Sequence, residues 1–133
     1  MKTGKGQPTI LLAEDEQGLR CMLATILQEA GFRTLIADNG SRALRLANEY
    51  YGKIDMLVSD IEMPGLTGPA LAKSLRTLRP DLRVLLMSGG MPDAGRVNGE
   101  WVFLQKPFPL GKFLEEVRAA FPETAKAMRG GVV

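Results

Sequence analysis

Five short, almost wholly apolar runs punctuate the chain: TILLA (9–13), RTLIA (33–37), IDMLVS (54–59), RVLLMS (83–88) and WVFLQ (101–105). A strand with one face in water alternates apolar and polar residues, whereas one buried on both faces reads as a nearly unbroken apolar run. Between the runs the apolar residues recur at helical spacing. Leu19, Met22, Leu23, Ile26, Leu27 and Ala30 share one face of a first predicted helix, which Gly31 closes. Ala43, Leu44, Ala47 and Tyr50 point inward from a second, with Ser41 near its start. A third starts at about Pro69, where a missing N–H is harmless, and carries Leu71, Leu75 and Leu78. Leu110, Phe113, Leu114, Val117 and Phe121 mark the last, stopped by Pro122. Strands alternating with helices in this way predict βαβ crossovers, and so an α/β fold with a parallel sheet covered on both faces.

One stretch breaks the alternation. GGMPDAGRVNGEWVFLQ, between Ser88 and Lys106, holds glycines and a proline where a helix would be due, so the fourth helix is expected to be reduced or missing. Residues 1–8 and 122–133 are rich in Gly, Lys, Pro and small side chains and read as flexible segments flanking one domain at 9–121. A length of 133 residues leaves no room for a second folded domain.

Composition removes most chemistries. With no histidine and a single thiol, Cys21, the chain cannot build a usual zinc site, a Ser-His-Asp triad or an internal disulfide. Cys21 reads as a small apolar residue of the first helix. Basic and acidic residues number 17 and 15, too even a balance for a nucleic-acid stripe, so no nucleic-acid contact is expected. The polar start and the shortness of every apolar run predict no membrane contact and a cytoplasmic location.

What remains is carboxylates, hydroxyls and amines, and they gather at strand ends. Glu14 and Asp15 end the first run, Asp60 the third, Ser88 the fourth and Lys106 the fifth. Open parallel sheets bind ligands beyond the carboxyl ends of their strands, where strand order reverses. Three carboxylates together repel one another unless a cation neutralises them, and two or three carboxylates plus a carbonyl and waters suit Mg²⁺. Lys106 and Ser88 can hold phosphoryl oxygens, leaving a carboxylate as nucleophile and an aspartyl phosphate as product.

In that order, LLAEDE, VSDIEMPGLTG, LLMSGG and FLQKPF resemble the receiver domains of two-component response regulators over about residues 9–121. The resemblance implies a flavodoxin-like (βα)₅ fold with strand order 2-1-3-4-5. It also implies phosphoryl transfer to Asp60 from a sensor histidine kinase or phosphotransfer domain, and signalling to an output protein or domain. It casts Asp15 as direct metal ligand, Glu14 as the outer acid, Glu62 as donor of a backbone carbonyl and Lys106 as holder of the phosphoryl group, before a commonly cis Pro107. Ser88 becomes the switch hydroxyl and Phe103 its aromatic partner, although plain packing accounts for Phe103 equally well. LLMSGG with FLQKPF is most similar to receivers of hybrid sensor kinases. Glu14 departs from the commoner Asp, and the short 88–106 segment departs where the family's fourth helix shapes its dimer face, so a monomer or weak dimer is expected.

Such a module phosphorylates itself and slowly loses the group to water, without being a turnover enzyme. Two other readings compete. A haloacid-dehalogenase-like phosphatase uses a similar residue set, but its nucleophile ends the first strand. A flavin binder on the same fold needs a hydroxyl- and glycine-rich loop after the first strand, where EDEQG would repel phosphate.

Overall fold

The computed structural model describes residues 7–90 and 101–122. Among them, five strands form one parallel sheet in the order β2-β1-β3-β4-β5. The strands are β1 (Thr9–Ala13), β2 (Arg33–Ala37), β3 (Met56–Asp60), β4 (Arg83–Ser88) and β5 (Val102–Gln105). The described helices are α1 (Gln17–Glu29), α2 (Gly40–Glu49), α3 (Gly68–Leu78) and α4 (Leu110–Ala119). This is the predicted α/β order. No helix lies between β4 and β5 among the described residues, and residues 91–100, where the reduced helix was expected, lie outside them. Residues 1–6 and 123–133, most of the two expected flexible segments, also lie outside.

Apolar side chains sort by strand parity into two layers. Leu11, Leu57, Val84 and Leu86 face α2 and α3, packing with Ala43, Ala47, Leu71 and Leu75. Ile10, Leu12, Met56, Val58, Leu85 and Leu104 face α1 and α4, packing with Leu23, Leu27, Phe113 and Val117. Central strands therefore bury both faces, which is why their sequence is apolar throughout. Three expectations need correction. Leu78 was placed on the apolar stripe of α3 but is 73% exposed, because it is the last residue of the helix and the covered face ends at Leu75. Met22 was assigned to the buried face of α1 but is 48% exposed, because the interior arc of the helix is centred on Leu23, Ala24 and Leu27. The third strand starts at Met56 instead of residue 54 and includes Asp60, since Asp55 turns its carboxylate to the Thr9 N–H at 2.8 Å.

Local signals set where the helices begin. Glu16 caps α1 by accepting from Gly18 N–H and Leu19 N–H at 3.1 and 2.8 Å. Asn39 caps α2 through Arg42 N–H, and Thr67 caps α3 through Ala70 N–H. At the other end of α1, Gly31 takes a φ of 99°, the left-handed cap that its position predicted. Arg79 closes the far end of α2 by donating to the carbonyls of Ala47, Tyr50 and Gly52, each at 3.0 Å.

Gly68 fixes the start of α3 against the end of β3. Its N–H donates to the Ile61 carbonyl at 2.9 Å, and an added Cβ would run into the Asp60 carbonyl oxygen. Gly68→Ala is expected to cost about 1–3 kcal/mol in urea unfolding, as overpacking against rigid backbone does. Gly111→Ala in α4, where a Cβ meets nothing within 4 Å, is expected to be neutral or to add up to about 1 kcal/mol.

Candidate functional site

Three strand ends deliver the charged groups. Glu14 follows β1, Asp60 is the last residue of β3, and Lys106 follows β5. Each stands two residues beyond an apolar neighbour, Leu12, Val58 or Leu104, that packs in the α1/α4 layer. Strand side chains alternate between faces, so all three leave from the same side of the sheet. They meet there: Lys106 Nζ lies 3.3 Å from Glu14 Oε1 and 3.2 Å from Asp60 Oδ2. One carboxylate oxygen from each of Glu14, Asp15 and Asp60 falls within 4.8 Å of the others.

Backbone bonds hold the strand ends in place. Ile61 N–H donates to the Met87 carbonyl at 2.8 Å, Lys106 N–H to the Ser88 carbonyl at 2.7 Å, and Glu14 N–H to the Ala37 carbonyl at 3.1 Å. The Ser59 hydroxyl donates to the Asp60 carbonyl at 2.8 Å. The Lys106–Pro107 peptide bond is cis.

The site keeps its acids largely out of water. Glu14 is fully buried, Asp60 is 8% exposed, and Asp15 lies at the surface. Burial raises the Glu14 pKa, opposed by a hydrogen bond from the Glu16 N–H to Oε2 and by Lys106, while the charge of Asp60 adds to the rise. Burial likewise raises Asp60, against the attraction of Lys106 and with help from Asp15 and Glu62. For Lys106 burial acts downward, but attraction and hydrogen bonding to Glu14 and Asp60 outweigh it, and its pKa ends above the ordinary value. One ammonium therefore does not fully offset the burial of the two acids. The donors are hard oxygens around a partly open point, a set that fits a hard divalent cation and no soft metal.

Of the other anticipated residues, Ser88 is buried at the end of β4, where its hydroxyl accepts the Gly90 N–H at 3.1 Å. It stands two residues beyond Leu86, so its side chain leaves from the α2/α3 side of the sheet. Phe103, opposite Leu86 in register, packs against that same layer. Glu62 is exposed in the loop after β3.

Sequence reasoning overlooked Arg20. From the first turns of α1 its guanidinium Nη1 donates to the Glu14 carbonyl at 3.0 Å and reaches the Asp15 carbonyl at 3.4 Å. Helical side chains lean toward the N-terminus, so a long cation at that position is aimed at the loop before the helix. That direction was the available signal. Also unanticipated is an apolar cavity of about 680 Å³ beside Lys106, lined by Leu19, Met22, Pro107, Phe108 and Leu110. The exposed Met22 belongs to its wall.

Comparison with known proteins agrees with this geometry. A family model described as the response regulator receiver domain matches residues 10–118. The chain is 36% identical over 117 residues to the sensor kinase CckA of Brucella abortus, covering 85% of this chain and 12% of that protein. Against the response regulator receiver protein CpdR of the same organism it is 34% identical, covering 81% of this chain and 92% of CpdR. A solved receiver domain of a hybrid histidine kinase CckA superposes with a TM-score of 0.73 at 35% identity, covering 84% and 97% of the two chains. The response regulator TrrA of Thermotoga maritima, solved in complex with Mg²⁺-BeF, gives a TM-score of 0.72 at 27% identity, with 86% and 100% covered.

The coupling among the charges has a pH signature. Glu14 and Asp60 hold protons more tightly when folded than when unfolded, so their charged forms cost stability, increasingly as pH rises through their raised pKa values. Lys106→Met removes the compensating ammonium and is expected to cost roughly 1–3 kcal/mol at neutral pH in chelator-treated samples. The deficit should shrink as pH falls and the two acids protonate. Urea unfolding of both proteins across the acidic range measures it, and a deficit that grows toward acid contradicts the assignment.

Proposed function

The chain belongs to the response regulator receiver family, and from that premise we propose that Asp60 is its phosphoacceptor, within a receiver spanning residues 9–121. The donor is a phosphohistidine on a sensor histidine kinase or phosphotransfer domain. The observation that carries this reading is a buried Asp60 carboxylate sharing the Lys106 ammonium with Glu14, in a cluster that also includes Asp15.

An Asp60 carboxylate oxygen attacks phosphorus, the P–O bond to Asp60 forming as the P–N bond to the donor imidazole breaks. The electron pair leaves with the imidazole, which takes up a proton. Lys106 neutralises the transferred phosphoryl oxygens, and the Ser88 hydroxyl donates to one of them. Glu14, Asp15, Asp60 and the Glu62 backbone carbonyl would hold Mg²⁺, which supplies positive charge to the phosphoryl oxygens when bound. Hydrolysis of the acyl phosphate by water restores the carboxylate, so the domain resets itself and turns over no separate substrate.

Phosphorylation draws Ser88 away from its bond with Gly90 and repositions Phe103, biasing the surface near β5 toward an output partner. The phosphorylated partner must bring its imidazole to Asp60, and the apolar cavity opening beside Lys106 gives it a surface to cover. Similarity to CckA supports a receiver that serves a hybrid kinase. Near-complete coverage of CpdR favours a stand-alone regulator as the second reading. The mass of the native gene product separates the two. The single cysteine accords with a cytoplasmic setting, and among the described residues no helix is long and apolar enough to cross a membrane.

The phosphatase alternative places its nucleophile at the end of the first strand, whereas Asp60 ends β3. Acetyl phosphate with Mg²⁺ is expected to add about 80 Da to the wild type, the mass of one phosphoryl group. Asp60→Asn, or wild type in excess chelator, should gain none. Sustained hydrolysis of small phosphomonoesters, abolished by Asp60→Asn, would instead favour the phosphatase.

A further inference from the structure

We propose that Arg20 is a positioning residue for the divalent-cation site, holding the acid loop through the backbone carbonyls of Glu14 and Asp15 so that both carboxylates converge. The inference rests on the metal-dependent reading given above.

The loop between β1 and α1 is three residues long, and two of them supply cation ligands. Its first residue is tied down: the Glu14 N–H pairs with β2, one Glu14 oxygen accepts from Glu16 N–H and the other meets Lys106. Asp15 is exposed, so the direction of its carboxylate follows from the backbone that carries it. Arg20 grips that backbone, its Nη1 at 3.0 Å from the Glu14 carbonyl and 3.4 Å from the Asp15 carbonyl. The base of the side chain is fixed in turn, because α1 is anchored in the core by Leu23, Ala24 and Leu27.

The two cations near the acids divide the work by the atoms they touch. Lys106 bonds carboxylate oxygens and so occupies positions a metal ion would also seek. Among the described residues Arg20 bonds only carbonyl oxygens of the loop, bringing positive charge near three acids while leaving their ligand atoms free. Groups that orient metal ligands from behind in this way tune affinity without coordinating.

Calorimetric titration with MgCl₂ tests the proposal on wild type, Arg20→Ala, Arg20→Lys and Arg79→Ala, with unfolding midpoints measured in chelator. Arg79 serves as control, since it also clamps carbonyls but those at the end of α2. Arg20→Ala is expected to weaken Mg²⁺ binding roughly tenfold, the lower end for outer-shell partners of metal ligands. Arg20→Lys should recover part of the loss, since an ammonium lacks the guanidinium's fork. Arg79→Ala should lower the midpoint and keep wild-type affinity.

Wild-type affinity in Arg20→Ala overturns the proposal, as does a loss in Arg79→Ala proportional to its lost stability. If Arg20→Ala does not fold, Arg20→Lys decides alone, and wild-type affinity there is fatal. Failure of the wild type to bind Mg²⁺ defeats the metal-dependent reading and this inference together. Binding by wild type that Arg20 variants do not alter defeats the inference alone.

Discussion

Everything at the carboxyl end of the sheet depends on one ammonium shared by two carboxylates that have been taken out of water. A buried ion pair is weak evidence of stabilisation, because desolvation offsets most of the Coulombic gain. Here the imbalance is visible in direction: Glu14 and Asp60 remain harder to ionise than in water even with Lys106 between them. A fold seeking only stability would fill these positions with apolar side chains, as it does two residues earlier at Leu12, Val58 and Leu104. The unmet demand for positive charge is what suits the cluster to a divalent cation.

Parity and strand order create this arrangement. β1 and β3 are neighbours although they are not consecutive in sequence, and the order in which strands are added reverses between them. Glu14 and Asp60 therefore end adjacent strands. Lys106 comes from β5 and has to reach across the end of β4, which the chain finishes with Ser88, Gly89 and Gly90.

Much of this was legible in the sequence because the strongest constraints are periodic. Unbroken apolar runs mark strands buried on both faces, and polar residues at the ends of such runs mark the open edge of the sheet. Asp60, Lys106, Glu14 and Asp15 were found by that logic, and the structure brings them together. Helix phase was less legible. Met22 fits the apolar spacing of α1 as well as Leu23 does, and only the position of the sheet decides which of them is covered. Arg20 and Arg79 were harder to read for another reason: both bond to backbone carbonyls, and a carbonyl leaves no mark in a sequence, so only the lean of its helix pointed to Arg20. Cap geometry fell in between, with Gly31 readable and Glu16 not, since glutamate is an uncommon cap.

The contact between Gly68 and the end of β3 has a mechanical meaning. With no side chain between them, the first residue of α3 lies directly on the peptide unit that carries Asp60, and its N–H grips the carbonyl next along. A compressible layer of side chains would absorb small displacements. Backbone resting on backbone transmits them. The third helix is in this sense a lever whose short arm touches the backbone of Asp60, and the surface on that side inherits whatever tilt arises at its root.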